Sequence, residues 1–243
     1  MSGSRRASRR PSPVRRNPVA TALSLLGELL ITIGVVLALF VAYSLWWTNV
    51  LADRDASARG DEVRRQWSAQ APAAPQRPGA LDTGDGVGFL HVPAMDNGEV
   101  LVKKGTTPAV LNDGVAGYYT DPIPAVLPWE DKDGNFTLAA HRDGHGAKFH
   151  NIDRLRTGDA IVMETRDTWY VYKVFADLEQ TTKFNVDVIA PVPKQSGRTK
   201  PGRLITLTTC TPVYTSKYRY IVWGELVRTE KVDAKRTPPP ELR

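Results

Sequence analysis

Cysteine is nearly absent from this sequence: Cys210 is the only one in 243 residues. One thiol cannot close a disulfide within the chain, so a disulfide scaffold is excluded. Acidic residues are missing from the first 18 positions, which hold Arg5, Arg6, Arg9, Arg10, Arg15 and Arg16. Those six arginines make up the whole net charge of +6, because the other 26 basic residues meet 26 acidic ones. A basic chain would ordinarily suggest a nucleic-acid partner. A neutral body with one charged tip does not, so no nucleic-acid partner is expected. Internal repeats are absent as well, which excludes a solenoid. Disorder of the chain as a whole is excluded by the 42% apolar content, and the length leaves room for one or two domains.

Charge is also absent from the 19 residues Leu29–Trp47 (LLITIGVVLALFVAYSLWW), and the apolar character reaches back to Val19 past Glu28. About 20 residues of helix span a bilayer core. A helix apolar on every face suits lipid better than a protein interior, and Trp46 and Trp47 fit an interfacial belt. The run exceeds the length of a signal-peptide core, so an uncleaved anchor is favoured over a leader cut near Val50-Leu51-Ala52. Six arginines precede Val19 within 15 residues, and two, Arg54 and Arg59, follow Trp47 within 15. The positive-inside rule then places the N-terminus in the cytoplasm and the rest outside. The expected location is the plasma membrane, single-pass, with membrane lipid as a partner. The paired arginines lack the hydrophobic consensus of a twin-arginine signal.

The expected organisation is a basic cytoplasmic tail at 1–18, a transmembrane helix at 19–47, a linker at 48–85, a catalytic domain at 86–230 and a disordered tail at 231–243. Within the linker, 48–70 is polar with mixed charge and open to helix. Ala71–Gly79 (APAAPQRPG) reads as an extended spacer. The compact region reads as strand: Gly88–Val92, Glu99–Lys103, Phe136–Ala140, Asp159–Glu164, Thr168–Phe175, Arg203–Thr208 and Tyr218–Val227. Short helices are expected at Thr107–Leu111 and Phe149–Leu155. Seven or eight short strands divided by turn signals favour a barrel or sandwich.

Cys210 ends one of these strands, just before Thr211-Pro212. Proline cannot continue the ladder, so the thiol should stand at a strand mouth. It is either a small buried hydrophobe or a nucleophile. A thiol with an ordinary pKa near 8.5 needs a base or a positive field. His91 lies inside a strand and reads as structural. His141 follows Phe136–Ala140 at another strand mouth. His145 and His150 lie in the loop beyond, and a zinc site on these three is disfavoured by Gly144 and Gly146, which break the helix that H-x3-H spacing requires. Arg219 stands nine residues past Cys210, across a loop, so neighbouring antiparallel strands present both at one end. An oxyanion formed by thiolate attack needs such a donor.

These residues resemble the sortase family. Thr206-Leu207-Thr208-Thr209-Cys210 matches the TLxTC signature. Arg219 falls where the family arginine falls, and Leu138–Asp159 resembles the family's histidine region. The similarity covers residues 86–228 and is greatest to class E, the actinobacterial housekeeping sortases. It implies a mainly β fold, an eight-stranded β-barrel with short helices behind one N-terminal transmembrane helix. It implies a catalytic set of Cys210 as nucleophile, His141 as proton-transfer partner and Arg219 as stabiliser, with Tyr119 and Thr209 as substrate-binding residues. It implies cleavage between Thr and Gly of an LAxTG- or LPxTG-like sorting signal and transfer to a peptidoglycan-precursor amine, without cofactor or metal. Ala140, where many relatives have Gly, and the insertion-like Pro122–Trp129 depart from the pattern. An L,D-transpeptidase-like domain lacks this local motif, and a barrel that only binds peptide has no need of all three residues.

Overall fold

The structure is a computed structural model that describes residues 18–69 and 87–243. The arginine-rich tail before residue 18 and the proline-rich spacer at 71–79 lie outside the described residues. The chain divides into two units, one ending at Ser44 and the other running from Leu45 to Arg243. Helix α1 covers Pro18–Ala69. Its apolar part is exposed on all sides, as at Leu30, Val36 and Phe40, and it is the one helix among the described residues long and apolar enough to cross a membrane.

Eight strands follow: β1 (Gly88–His91), β2 (Glu99–Lys104), β3 (Ala116–Tyr118), β4 (Gly134–Ala139), β5 (Ala160–Glu164), β6 (Thr168–Thr182), β7 (Arg203–Thr211) and β8 (Tyr218–Lys231). They close into a barrel in the order β1-β2-β3-β4-β7-β8-β6-β5. The pairs β2–β3 and β4–β7 are parallel and the others antiparallel. Closure leaves no open sheet edge. Side chains alternate across each strand. One set fills the barrel: Leu90, Val100, Val102, Phe136, Leu138, Met163, Tyr172, Ile205, Leu207 and Val222. β3 carries no alternating pattern and was not among the expected strands; its three residues are held by ladders on both sides. β6 outruns its expected end because the polar stretch Ala176–Thr182 pairs with β8 through its backbone, across bulges. The expected helix at Thr107–Leu111 forms as α2 (Pro108–Leu111), whereas Phe149–Leu155 gives only a 3-10 turn at Ile152–Arg154.

Two segments differ from expectation. Residues 48–69 are not a free linker. They continue α1, and Ala52, Ala56, Gly60, Val63 and Trp67 recur at steps of four, four, three and four, one helical face. Val63 and Trp67 are buried with Phe89, Leu101 and Val115. The tail at 231–243 is ordered against the barrel rather than disordered. The Val232 N–H donates to the Asp167 carbonyl, and Val232 and Leu242 pack on Val162, Trp169 and Val171. Glu164 explains both departures. It is 1% exposed, and it accepts hydrogen bonds from Arg64 of α1 and Arg236 of the tail while contacting His91 Nε2 at 2.9 Å. Burial opposes its charge, but His91, Arg64 and Arg236 outweigh that and lower its pKa to about 2. A buried carboxylate needs such partners, and they come from the two segments whose composition reads as solvated.

Candidate active site

The site follows from register. Strands β4, β7 and β8 lie side by side, with Ala139 opposite Thr208 and Cys210 opposite Arg219. Paired residues project to one face, so Cys210 and Arg219 stand together. Continuing the parallel register two residues past Ala139 sets His141 level with Cys210. The bonds at the strand end support this: Ala140 N–H donates to the Thr208 carbonyl at 3.3 Å and Thr209 Oγ1 to the Ala140 carbonyl at 2.7 Å. Cys210 and Arg219 are therefore cross-strand partners on the outside of the barrel, and His141 follows the end of the neighbouring strand β4.

This outer face has its own floor. Ile221 and Trp223 are buried there with Val188 and Ile189, and Tyr119, Ile123 and Phe175 pack against them. Trp223 Nε1 donates to the Val188 carbonyl at 2.9 Å, and Asn135 Nδ2 to the Ala190 carbonyl at 2.9 Å, which ties the segment after β6 over the sheet. Tyr119 Oη lies 2.9 Å from Thr208 Oγ1, and Thr208 Oγ1 donates to the Leu138 carbonyl at 3.1 Å. With its proton so used, Thr208 accepts and Tyr119 donates. Burial raises the Tyr119 pKa, opposed by Thr208 and the Arg219 charge and aided by Cys210, so this phenol senses both residues of that pair. Cys210 is half-buried, and the Arg219 guanidinium donates to the Ser216 and Tyr218 carbonyls at 3.1 and 2.9 Å.

Thr209 is not brought to this face. It pairs with Tyr220, which lies in the barrel core, and it is 3% exposed. The expectation that it touches substrate is corrected by strand alternation: the residue next to Cys210 points the other way, and Thr208 underlies the outer face. Two further residues escaped the sequence reading. Asn112, just after α2, has its Oδ1 2.9 Å from His141 Nε2. Nothing local signals a partner 29 positions upstream. The ring of His145 stacks on that of His141 with centroids 5.1 Å apart. Burial lowers the His141 pKa, His145 lowers it further and Asp143 opposes both. Asp143 also accepts the Tyr214 N–H at 2.7 Å, joining the histidine loop to the loop after Cys210. His150 is set apart, with its Nδ1 on the Arg142 carbonyl at 2.8 Å. Among the described residues, one group, His91, Glu99 and Glu164, has ligand atoms close enough for a metal ion. There the Arg64 guanidinium bridges the two carboxylates and supplies the positive charge.

A closed eight-stranded barrel with a cysteine and an arginine paired at a strand mouth defines a cysteine transpeptidase of the sortase type. The Sortase domain family matches residues 90–227, and the chain belongs to that family. Within it the chain is most like class E. It is 62% identical to Sortase SrtE2 of Streptomyces coelicolor over 98% of this chain and 93% of that one. It is 42% identical to Sortase SrtE1 of the same organism over 97% of this chain, and spans 66% of that longer protein. The crystal structure of Sortase E1 from Streptomyces coelicolor, solved with a tripeptide in its active site, is similar at 44% identity and a TM-score of 0.60, covering 64% of this chain and 95% of that one. Sortase E from Streptomyces avermitilis is similar at 33% identity and a TM-score of 0.56, over 64% and 95%. Sortases are cell-surface enzymes, and their substrates are proteins bearing sorting signals.

Proposed function

We propose that this sortase is held in the plasma membrane by the first part of α1, with its N-terminus cytoplasmic, and cleaves an LAxTG- or LPxTG-like signal between Thr and Gly. Cys210 Sγ attacks the Thr carbonyl carbon. The carbonyl oxygen takes up negative charge, which Arg219 stabilises as a planar donor. As the C–N bond breaks, His141 gives a proton to the departing Gly amine and a thioester remains. The amine of a peptidoglycan precursor then attacks the thioester, His141 accepts its proton, and the Cys210 thiolate leaves. Tyr119 and Thr208 shape the floor under the signal. Anchoring raises the effective concentration of two membrane-tethered substrates near the thiol.

The pairing of Cys210 with Arg219 across β7 and β8, with His141 just past the end of β4, is the observation that supports this reading. The full chain in lipid vesicles, given LAxTG and LPxTG peptides with a small primary amine, tests it. Joined product from wild type and none from Cys210→Ala supports the reading; equal product from both overturns it.

A further inference from the structure

The segment Leu45–Ala69 of α1 touches the barrel at the two places that hold His141. Asn49 Oδ1 accepts the Gly146 N–H at 3.1 Å, and Asp53 Oδ1 pairs with Lys148 Nζ at 2.7 Å. A Cβ at Gly146 would stand 3.0 Å from Asp53 Oδ1, so helix and loop are in close contact. On the other side, Arg59 pairs with Asp113 at 3.2 Å, and a Cβ at Gly114 would stand 3.0 Å from the Ala52 carbonyl oxygen. Asp113 and Gly114 directly follow Asn112, whose side chain meets His141 Nε2. Gly146 and Lys148 flank the turn from His145, whose ring stacks on His141.

The loop needs this support. Gly144, His145, Gly146 and Ala147 all have left-handed backbones, with φ of 63, 46, 79 and 42°. Two of the four are not glycine, and residues so placed persist only where their surroundings hold them. Within the loop, Ala147 N–H donates to the Gly144 carbonyl and His150 N–H to the Ala147 carbonyl, each at 2.8 Å. The outward side of the turn is met by Asn49 and Asp53. β4 ends at Ala139, so His141 itself lies beyond the ladder that fixes Cys210 and Arg219.

We infer that Asn49 and Asp53 are positioning residues: this part of the anchor helix clamps the 144–148 loop and thereby sets the orientation of His141. The helix is then part of the catalytic apparatus as well as a tether. The inference rests on the proposed role of His141 in proton transfer. A clamp of this kind acts on turnover rather than on binding of the signal, because neither Asn49 nor Asp53 lies on the Tyr119–Trp223 floor.

The test uses the full chain in lipid vesicles with an LAxTG peptide and a small primary amine. Asp53→Lys and Lys148→Asp, each alone, should lower kcat by about 10-fold while KM for the peptide stays within about 2-fold, since small misplacement of a proton-transfer group costs rate. The double variant Asp53→Lys/Lys148→Asp should recover most of that loss. Where a charge reversal fails to fold, Asn49→Ala/Asp53→Ala should give the same split between kcat and KM. Wild-type kcat in the single variants, a loss that the exchange does not recover, or a rise in KM alone overturns the clamp. His141→Ala is run beside them. Full turnover in that variant removes the proton-transfer reading itself, whereas its inactivity together with unchanged helix variants removes only the clamp.

Discussion

The two faces of the β4–β7–β8 sheet differ in character: the inner one is mostly apolar, and the outer one mixes an apolar floor with polar residues. Inward, Ile205, Leu207, Phe136, Leu138 and Val222 fill the barrel. Outward, Thr206, Thr208, Cys210 and Arg219 line a surface that the segment after β6 partly covers. One residue of register therefore separates chemistry from packing. The difference teaches that the signature around Cys210 is two sets of residues interleaved, one filling the barrel and one facing the outer surface where the proposed nucleophile stands.

The sharpest break of this contrast is Cys210→Ala. Outward and half-buried, it should abolish transpeptidation, about 10³-fold or more, with little change in thermal unfolding. Arg219→Lys keeps the charge but loses the planar fork, and kcat/KM should fall on the order of 10²-fold, read by steady-state kinetics. Leu207→Ala lies on the inner face of the same strand, three positions before Cys210. It should cost about 2–5 kcal/mol in denaturant unfolding, yet the protein that remains folded should turn over at nearly the wild-type rate.

A finer comparison uses neighbours of the same type. Thr209→Val, inward, should lower stability by about 1–3 kcal/mol because the Ala140 carbonyl loses its donor. Thr208→Val, outward, should shift the preference between LAxTG and LPxTG peptides, by up to about 10-fold, by removing the acceptor of Tyr119. A change of preference in Thr209→Val with none in Thr208→Val would reverse the assignment of faces. The smallest effect is electrostatic. His145 lowers the His141 pKa and Asp143 raises it. The limb of the pH–rate profile due to His141 should therefore move to higher pH in His145→Ala and to lower pH in Asp143→Asn, which keeps an acceptor for Tyr214.

Much of this was legible in the sequence, for reasons particular residues make plain. Cys210 and Arg219 are nine positions apart around a turn, and local hairpin geometry pairs them. His141 stood at the end of a well-patterned strand. What escaped was what depends on distant contacts. Thr209 enters as a substrate-binding residue only through the family resemblance, and alternation sends it inward. Asn112 meets His141 only because β3 and β4 bring their flanking loops together. The stripe Ala52, Ala56, Gly60, Val63 and Trp67 could have been read from its helical spacing, but its small residues and charged surroundings gave it a solvated look. The tail after β8 offers no such period, and its order rests on the buried Glu164 and on the packing of Val232 and Leu242.

Glu164 also bears on how the protein is made. Its partners come from the two ends of the barrel domain in chain order: Arg64 precedes all eight strands and Arg236 follows them. A chain made from its N-terminus onward presents the carboxylate with its helix partner early and with its tail partner only after β8 has been made. The lock at Glu164 thus joins both ends of the barrel domain and can close only once every strand is in place.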